Sequence, residues 1–291
     1  MTILMRATVV VTLLGPAAFG QDAPQPASGN MQGHVQLPGV RLWCVDTGGS
    51  GEAVIALHAA TGSSQVWEHQ IPAFTAAGYR FIACDRRGYG RTVADGNPSV
   101  APVPAAEDVE QLAQSLGLSR FHLLGSAAGG IVALDYALSF PARLRTLVVA
   151  NSIGGVQDPD YLEMSRRLRP SPQFDALPPE FRELGPSYRA SNSEGVARWV
   201  ALEKASRAPG APIPAQPTRT RITFAAIESL SVPTLLLTGD ADLYTPPSVL
   251  RLFAVRIKGS TMTVIAEAGH SAYWEQPDQF NTAVLDFLRK H

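Results

Sequence analysis

Three short segments carry residue types that can do chemistry, each directly after an apolar run. Leu123-Leu124-Gly125-Ser126-Ala127-Ala128-Gly129-Gly130 is glycine-rich, Thr238-Gly239-Asp240-Ala241-Asp242 offers two carboxylates, and Ala268-Gly269-His270 offers an imidazole. An imidazole can take a proton near neutral pH, and a buried carboxylate behind it fixes its tautomer and stabilises the imidazolium. Such a pair serves a hydroxyl nucleophile, which is weak until a base within reach takes its proton. The glycine-rich segment alone is equally compatible with an ordinary strand-to-helix turn, including one that receives a phosphate. Of the six histidines, His270 alone sits between an apolar strand-like run and a closing helix-like run. His34, His69, His122 and His291 read as surface or packing residues, and no pair has metal-ligand spacing.

The elements that must position these segments alternate between strand and helix. Residues 40–45, 53–58, 80–85, 121–124, 144–151, 234–238 and 262–265 are apolar, strand-like runs. A continuous run such as Ala53-Val54-Ile55-Ala56-Leu57 suits a strand buried on both faces. Helices are expected over 66–77, 131–138, 249–257 and 278–288. Val109, Leu112, Ala113 and Leu116 add the i, i+3, i+4, i+7 stripe of another. The alternation predicts an α/β protein with a mostly parallel sheet covered by helices on both faces. Between about 153 and 230 the texture changes to Pro- and Arg-rich loops with helical patches, as for an inserted helical cap. The expected organisation is therefore a core over 39–152 and 231–291 with a cap over 153–230.

With those motifs in place, the chain resembles the α/β-hydrolase family over about 40–151 and 233–289. The family's nucleophile elbow reads G-x-S-x-G at a strand–turn–helix junction, where small residues two before and two after permit a strained turn. Gly125 and Gly129 take those positions, so the resemblance assigns the nucleophile to residue 127, which is alanine here. Ser126 would have Leu124 and Ala128 as its flanks and fits the elbow poorly. The family's acidic residue maps to Asp242 rather than Asp240, because a proline follows four residues on, at Pro246. Its general base maps to His270. The order 127, 242, 270 matches nucleophile, acid, base.

Leu57-His58-Ala59-Ala60 resembles the family's loop after the third strand, which implies an oxyanion hole from the backbone N–H groups of Ala60 and Ala128. His58 is expected to brace that loop, and Asp85-Arg86-Arg87-Gly88-Tyr89-Gly90-Arg91 is expected to be structural. The resemblance implies a serine hydrolase that cleaves a carboxylic ester or lactone through an acyl-enzyme, with no cofactor and no metal. In this chain the nucleophile would be missing, either through deliberate inactivation or because the protein is a natural ligand-binding pseudo-hydrolase. Retained Asp242, His270 and elbow glycines favour the first. An epoxide hydrolase or dehalogenase would need a carboxylate at 127; an amidase or peroxidase could share the triad.

The remaining composition bounds partners and location. The chain has 291 residues, 45% hydrophobic, with 24 Lys+Arg against 25 Asp+Glu and a formal net charge of −1. That balance gives no field for nucleic acid, and the apolar fraction excludes a disordered chain. Residues 1–20 have the charge, apolar run and small residues of a secretory signal peptide, and 21–38 read as a linker and leading segment. A secreted or periplasmic protein without membrane insertion is expected. Cys44 and Cys84 each sit in a strand-like run. They would bridge if those strands were neighbours, but buried packing is the expectation. Tyr161, Phe174, Phe181, Tyr188, Trp199 and Trp67 fit either a substrate pocket or the core. The lack of basic excess near the motifs argues mildly against highly anionic substrates. The specific ester or lactone and the oligomeric state are not encoded legibly.

Overall fold

The computed structural model describes residues 31–94, 102–169, 171–207 and 216–291. The proposed signal peptide lies outside them. Nine strands form one sheet among the described residues. They are β1 (Met31–Leu37), β2 (Val40–Asp46), β3 (Ala53–Leu57), β4 (Arg80–Cys84), β5 (Val93–Ala94), β6 (Phe121–Ser126), β7 (Leu144–Ala150), β8 (Thr234–Gly239) and β9 (Thr261–Ile265). The spatial order is β1-β2-β4-β3-β6-β7-β8-β9, with β5 beside β2. From β4 to β9 every pairing is parallel, while β1, β4 and β5 each meet β2 antiparallel.

The parallel strands are buried on both faces, which is why they read as unbroken apolar runs. Alternate side chains feed two cores. Ile55 and Leu123 pack with Val109, Ala133 and Leu250, whereas Val54 and Leu124 pack with Phe74, Phe280 and Val284. The first core therefore sits under α2 (Ala105–Ser115), α3 (Ala128–Ser139) and α9 (Pro247–Ala254). The second sits under α1 (Gln70–Ala76) and α11 (Pro277–Leu288). Between β7 and β8 lie α4 (Pro159–Leu168), α5 (Pro179–Glu183), α6 (Pro186–Ser191), α7 (Ser193–Ala205) and α8 (Phe224–Ile227), with no strand among the described residues. The short α10 (Ala272–Glu275) precedes α11.

Three expectations need correction. Residues 31–37 are a strand, not a leader: β1 hairpins onto β2 through Gly39 at φ 70°. Its side chains alternate between half-buried and exposed, so polar Gln32, His34 and Gln36 hid it. The single helix expected over 66–77 is instead a 3₁₀ turn, Ser64–Trp67, followed by α1. Pro72 explains the break, since it cannot donate to residue 68 and is tolerated only in a first turn.

The third correction concerns the cysteines. Cys44 and Cys84 stand directly opposite each other in the β2–β4 pair, and their sulfurs are bonded at 2.06 Å. An antiparallel ladder points both Cβ atoms to the same face, so the buried thiols of the sequence reading become a bridge. The bond closes a loop over a sequence separation of 40 residues. Replacing both cysteines by alanine is expected to lower unfolding free energy by about 4 kcal/mol. Urea denaturation of the oxidised protein and the double variant measures it.

Candidate active site

All three chemical segments sit at carboxyl ends of parallel strands, on loops that leave β6, β8 and β9. The turn from β6 into α3 holds Ala127 at φ 50°, ψ −113°, a conformation few non-glycine residues adopt. Its neighbours explain how the turn survives. A Cβ on Gly125 would lie 2.3 Å from the Gly129 carbonyl oxygen, and one on Gly129 would lie 2.2 Å from that of Leu57. The first oxygen belongs to the opening turn of α3 and the second to the end of β3, so neither can move without disturbing a regular element. Gly129→Ala is expected to destabilise the fold by about 3 kcal/mol, read as a lower denaturation midpoint.

Asp242 and His270 meet as the motif order requires. His270 Nδ1 lies 2.9 Å from both carboxylate oxygens of Asp242. The carboxylate accepts further hydrogen bonds from the Tyr244 and Thr245 amides, the Thr238 hydroxyl and Asn151 Nδ2. Burial alone would push Asp242 up, but the His270 charge and these donors hold it below the usual carboxylate range. Burial likewise pulls His270 down. The Asp242 charge and hydrogen bond are the main pulls against burial, and the imidazole stands above its ordinary value. With Nδ1 donating to Asp242, Nε2 is left as a proton acceptor, and it has no hydrogen-bond partner among the described residues.

His270 and Ala127 line one cleft of about 310 Å³, together with Ala60, Ala128, Asn151, Tyr244, Arg182 and Glu183. The Ala60 and Ala128 amides have no acceptor among the described residues. Ala128 is the first residue of α3, so its N–H also carries the positive end of a helix dipole. His58 braces the loop as expected. It accepts from the Arg86 amide at Nε2, which fixes Nδ1 as the donor to the Ala59 carbonyl at 2.7 Å. Burial, with the nearby Arg86 charge, holds its ring well below the usual histidine value. Asp85 is structural too, accepting from the Ser64 and Arg91 amides.

Other candidates fall away from the cleft. Ser126 ends β6, fully buried, and its hydroxyl finds no partner among the described residues. Asp240 lies on the surface and accepts from the Ala268 amide. Trp67, Tyr161, Tyr188 and Trp199 are core residues, Phe181 is 47% exposed, and Phe174 packs edge-on against Tyr244. None of these aromatics lines the cleft.

The sequence reading missed six residues of the site, Glu183 of the cleft wall among them. Asn151, in the left-handed region at φ 51°, ties Asp242 to the Gly269 carbonyl. Its only signal was an asparagine closing an apolar run, a residue type that tolerates positive φ. Tyr244 stacks on His270 with centroids 4.3 Å apart. Arg182 and Arg207 give the cleft a cationic edge that local charge counting did not show. Glu275 accepts from the Gly185, Gly269 and Ser271 amides, clamping the His270 loop to the α5–α6 junction. Burial pushes that carboxyl up to about 7, against the pull of the three amides.

The family model of the alpha/beta hydrolase family matches residues 54–283. A protein of Variovorax paradoxus assigned as the carbamate hydrolase RutD is 31% identical, covering 82% of this chain and 92% of its own. The 2-hydroxy-6-oxo-6-phenylhexa-2,4-dienoate hydrolase of Comamonas testosteroni is 26% identical over 83% of this chain and 89% of its own. Among solved structures, a thermophilic esterase from Thermogutta terrifontis superposes with a TM-score of 0.69 at 28% identity, covering 89% of this chain and 97% of that one. The chain belongs to the alpha/beta hydrolase family. Its relatives include hydrolases of small molecules.

Proposed function

We propose that this fold is a serine-type hydrolase of carboxylic esters or lactones in which alanine has been substituted, by design, for the nucleophilic serine at 127. The observation that carries the reading is an intact base system with no client. Asp242 holds His270 in one tautomer, and the accepting Nε2 shares a cleft with an elbow whose side chain is a methyl group. A natural protein with no turnover would have no use for this arrangement beside a strained elbow, which disfavours the pseudo-hydrolase reading.

With serine at 127 the steps follow from the geometry. The hydroxyl proton passes to His270 Nε2 as the oxygen attacks the substrate carbonyl carbon. The resulting oxyanion accepts hydrogen bonds from the Ala60 and Ala128 amides, and His270 returns the proton to the departing oxygen. Water then repeats the sequence on the acyl-enzyme. Apart from that water, every group involved belongs to the protein or the substrate, so the reading calls for no metal or cofactor. We place the protein outside the cytoplasm, a reading supported by the Cys44–Cys84 bridge, because such bonds persist in oxidising compartments. Assay of nitrophenyl esters by the Ala127 chain and by Ala127→Ser tests the activity. A folded, inert serine variant would overturn it.

A further inference from the structure

Glu183 closes α5, and its main chain is already committed to the site. Its carbonyl accepts from the His270 amide at 2.7 Å and the Ser271 amide at 3.1 Å. Its side chain is 6% exposed and lines the cleft beside His270, Tyr244 and Ala127. Among the described residues neither carboxyl oxygen has a hydrogen-bond partner, and Oε2 is wholly enclosed. Arg182, its chain neighbour on the same cleft wall, forms no ion pair with it, and its own Nε is buried without a partner. Buried polar groups are rarely left unmatched in a native fold, because each loses its bonds to water without replacement. A carboxyl kept in this state on the wall of a reaction cleft is matched by what enters the cleft.

We propose that Glu183 is a specificity-determining residue whose carboxyl donates a hydrogen bond to an oxygen in the alcohol portion of the substrate. This rests on the reading of the cleft as an ester or lactone site. The side follows from the cleft wall: the Glu183 side chain lines it beside His270, the group that returns a proton to the departing alcohol. Its acid form is the donor, and burial favours that form. The Asp242 and Glu203 charges act in the same direction, and those of His270 and Arg182 oppose. The substrate class is thus an ester or lactone whose alcohol carries an ether, hydroxyl or carbonyl oxygen close to the scissile bond.

On that reading the chain with Ala127 is expected to bind esters without cleaving them, so recognition is readable at equilibrium. Titration calorimetry with 2-methoxyethyl butanoate and butyl butanoate compares two ligands of equal size that differ by one ether oxygen in place of a methylene. The methoxy ester is expected to bind about fivefold tighter. Glu183→Gln should keep most of that ratio, because its amide also donates, whereas Glu183→Leu should erase it. A purely structural role would weaken both esters together and leave the ratio intact. Equal affinities in the unaltered chain, a ratio unmoved by leucine, or binding of neither ester overturns the proposal. Turnover is not needed, so an inert Ala127→Ser variant would sink the serine reading while this comparison still decides the role of Glu183.

Discussion

Ala127→Ser is expected to raise kcat for a small nitrophenyl ester by on the order of 10⁵- to 10⁶-fold over the Ala127 chain. The size of the effect follows from what is already in place. Removing the nucleophile from such a triad costs nearly as much as removing all three members, because the base and acid act only through it. Here the elbow keeps its positive φ, and Gly125 and Gly129 leave room for it. Adding one oxygen to the Ala127 methyl asks for no backbone change. The expected kinetics show a burst of nitrophenol followed by a slower steady state, as an acyl-enzyme demands. Background activity of the Ala127 chain should stay at the level that bound substrate and two amide donors alone provide.

The second large effect is expected from Asp242→Asn in the Ala127→Ser background, a fall of about 10⁴-fold in kcat. The carboxylate takes donors from His270, Asn151, Thr238 and two amides. An asparagine offers a single acceptor oxygen and places an N–H₂ against other donors, so the imidazole loses its tautomer as well as its counter-charge. The pH profile should shift with it. Activity needs the neutral ring, so it is lost as pH falls through the His270 pKa. In Ala127→Ser that pKa is expected above the ordinary 6.5, as in the Ala127 chain, where the Asp242 charge is the main pull against burial. With Asp242 neutralised, burial prevails and the acid limb moves to lower pH. An acid limb unchanged by the substitution would show that Asp242 does not govern His270.

Much of this site could be read along the chain because the constraints that make it are local. The elbow glycines are spaced by the steric demands of one turn. The parallel strands announce themselves as unbroken apolar runs because both faces are covered. Asp242 and His270 each follow such a run within a few residues. Where the reading failed, the cause was pairing across distance or a polar edge. The β1 strand alternates too weakly to be seen, since one of its faces meets water. Pro72 interrupts an otherwise helical pattern from within, so the apolar spacing of residues 66–77 hides the break.

The sequence alone determined which loops meet at the cleft, in which order, and that the residue between the elbow glycines is alanine, since turn sterics and strand burial are written in neighbouring residues. Tertiary structure decided what surrounds them. Asn151 reaches Asp242 across 91 positions, and Glu275 reaches the Gly185 amide across 90. The Cys44–Cys84 bridge exists because β2 runs antiparallel to β4 in one particular register. The cap brings Glu183 against His270 through a backbone carbonyl that every residue possesses. No residue type or spacing encodes such meetings; they arise only when the sheet is assembled and the helices between β7 and β8 fold back over the carboxyl ends of its strands.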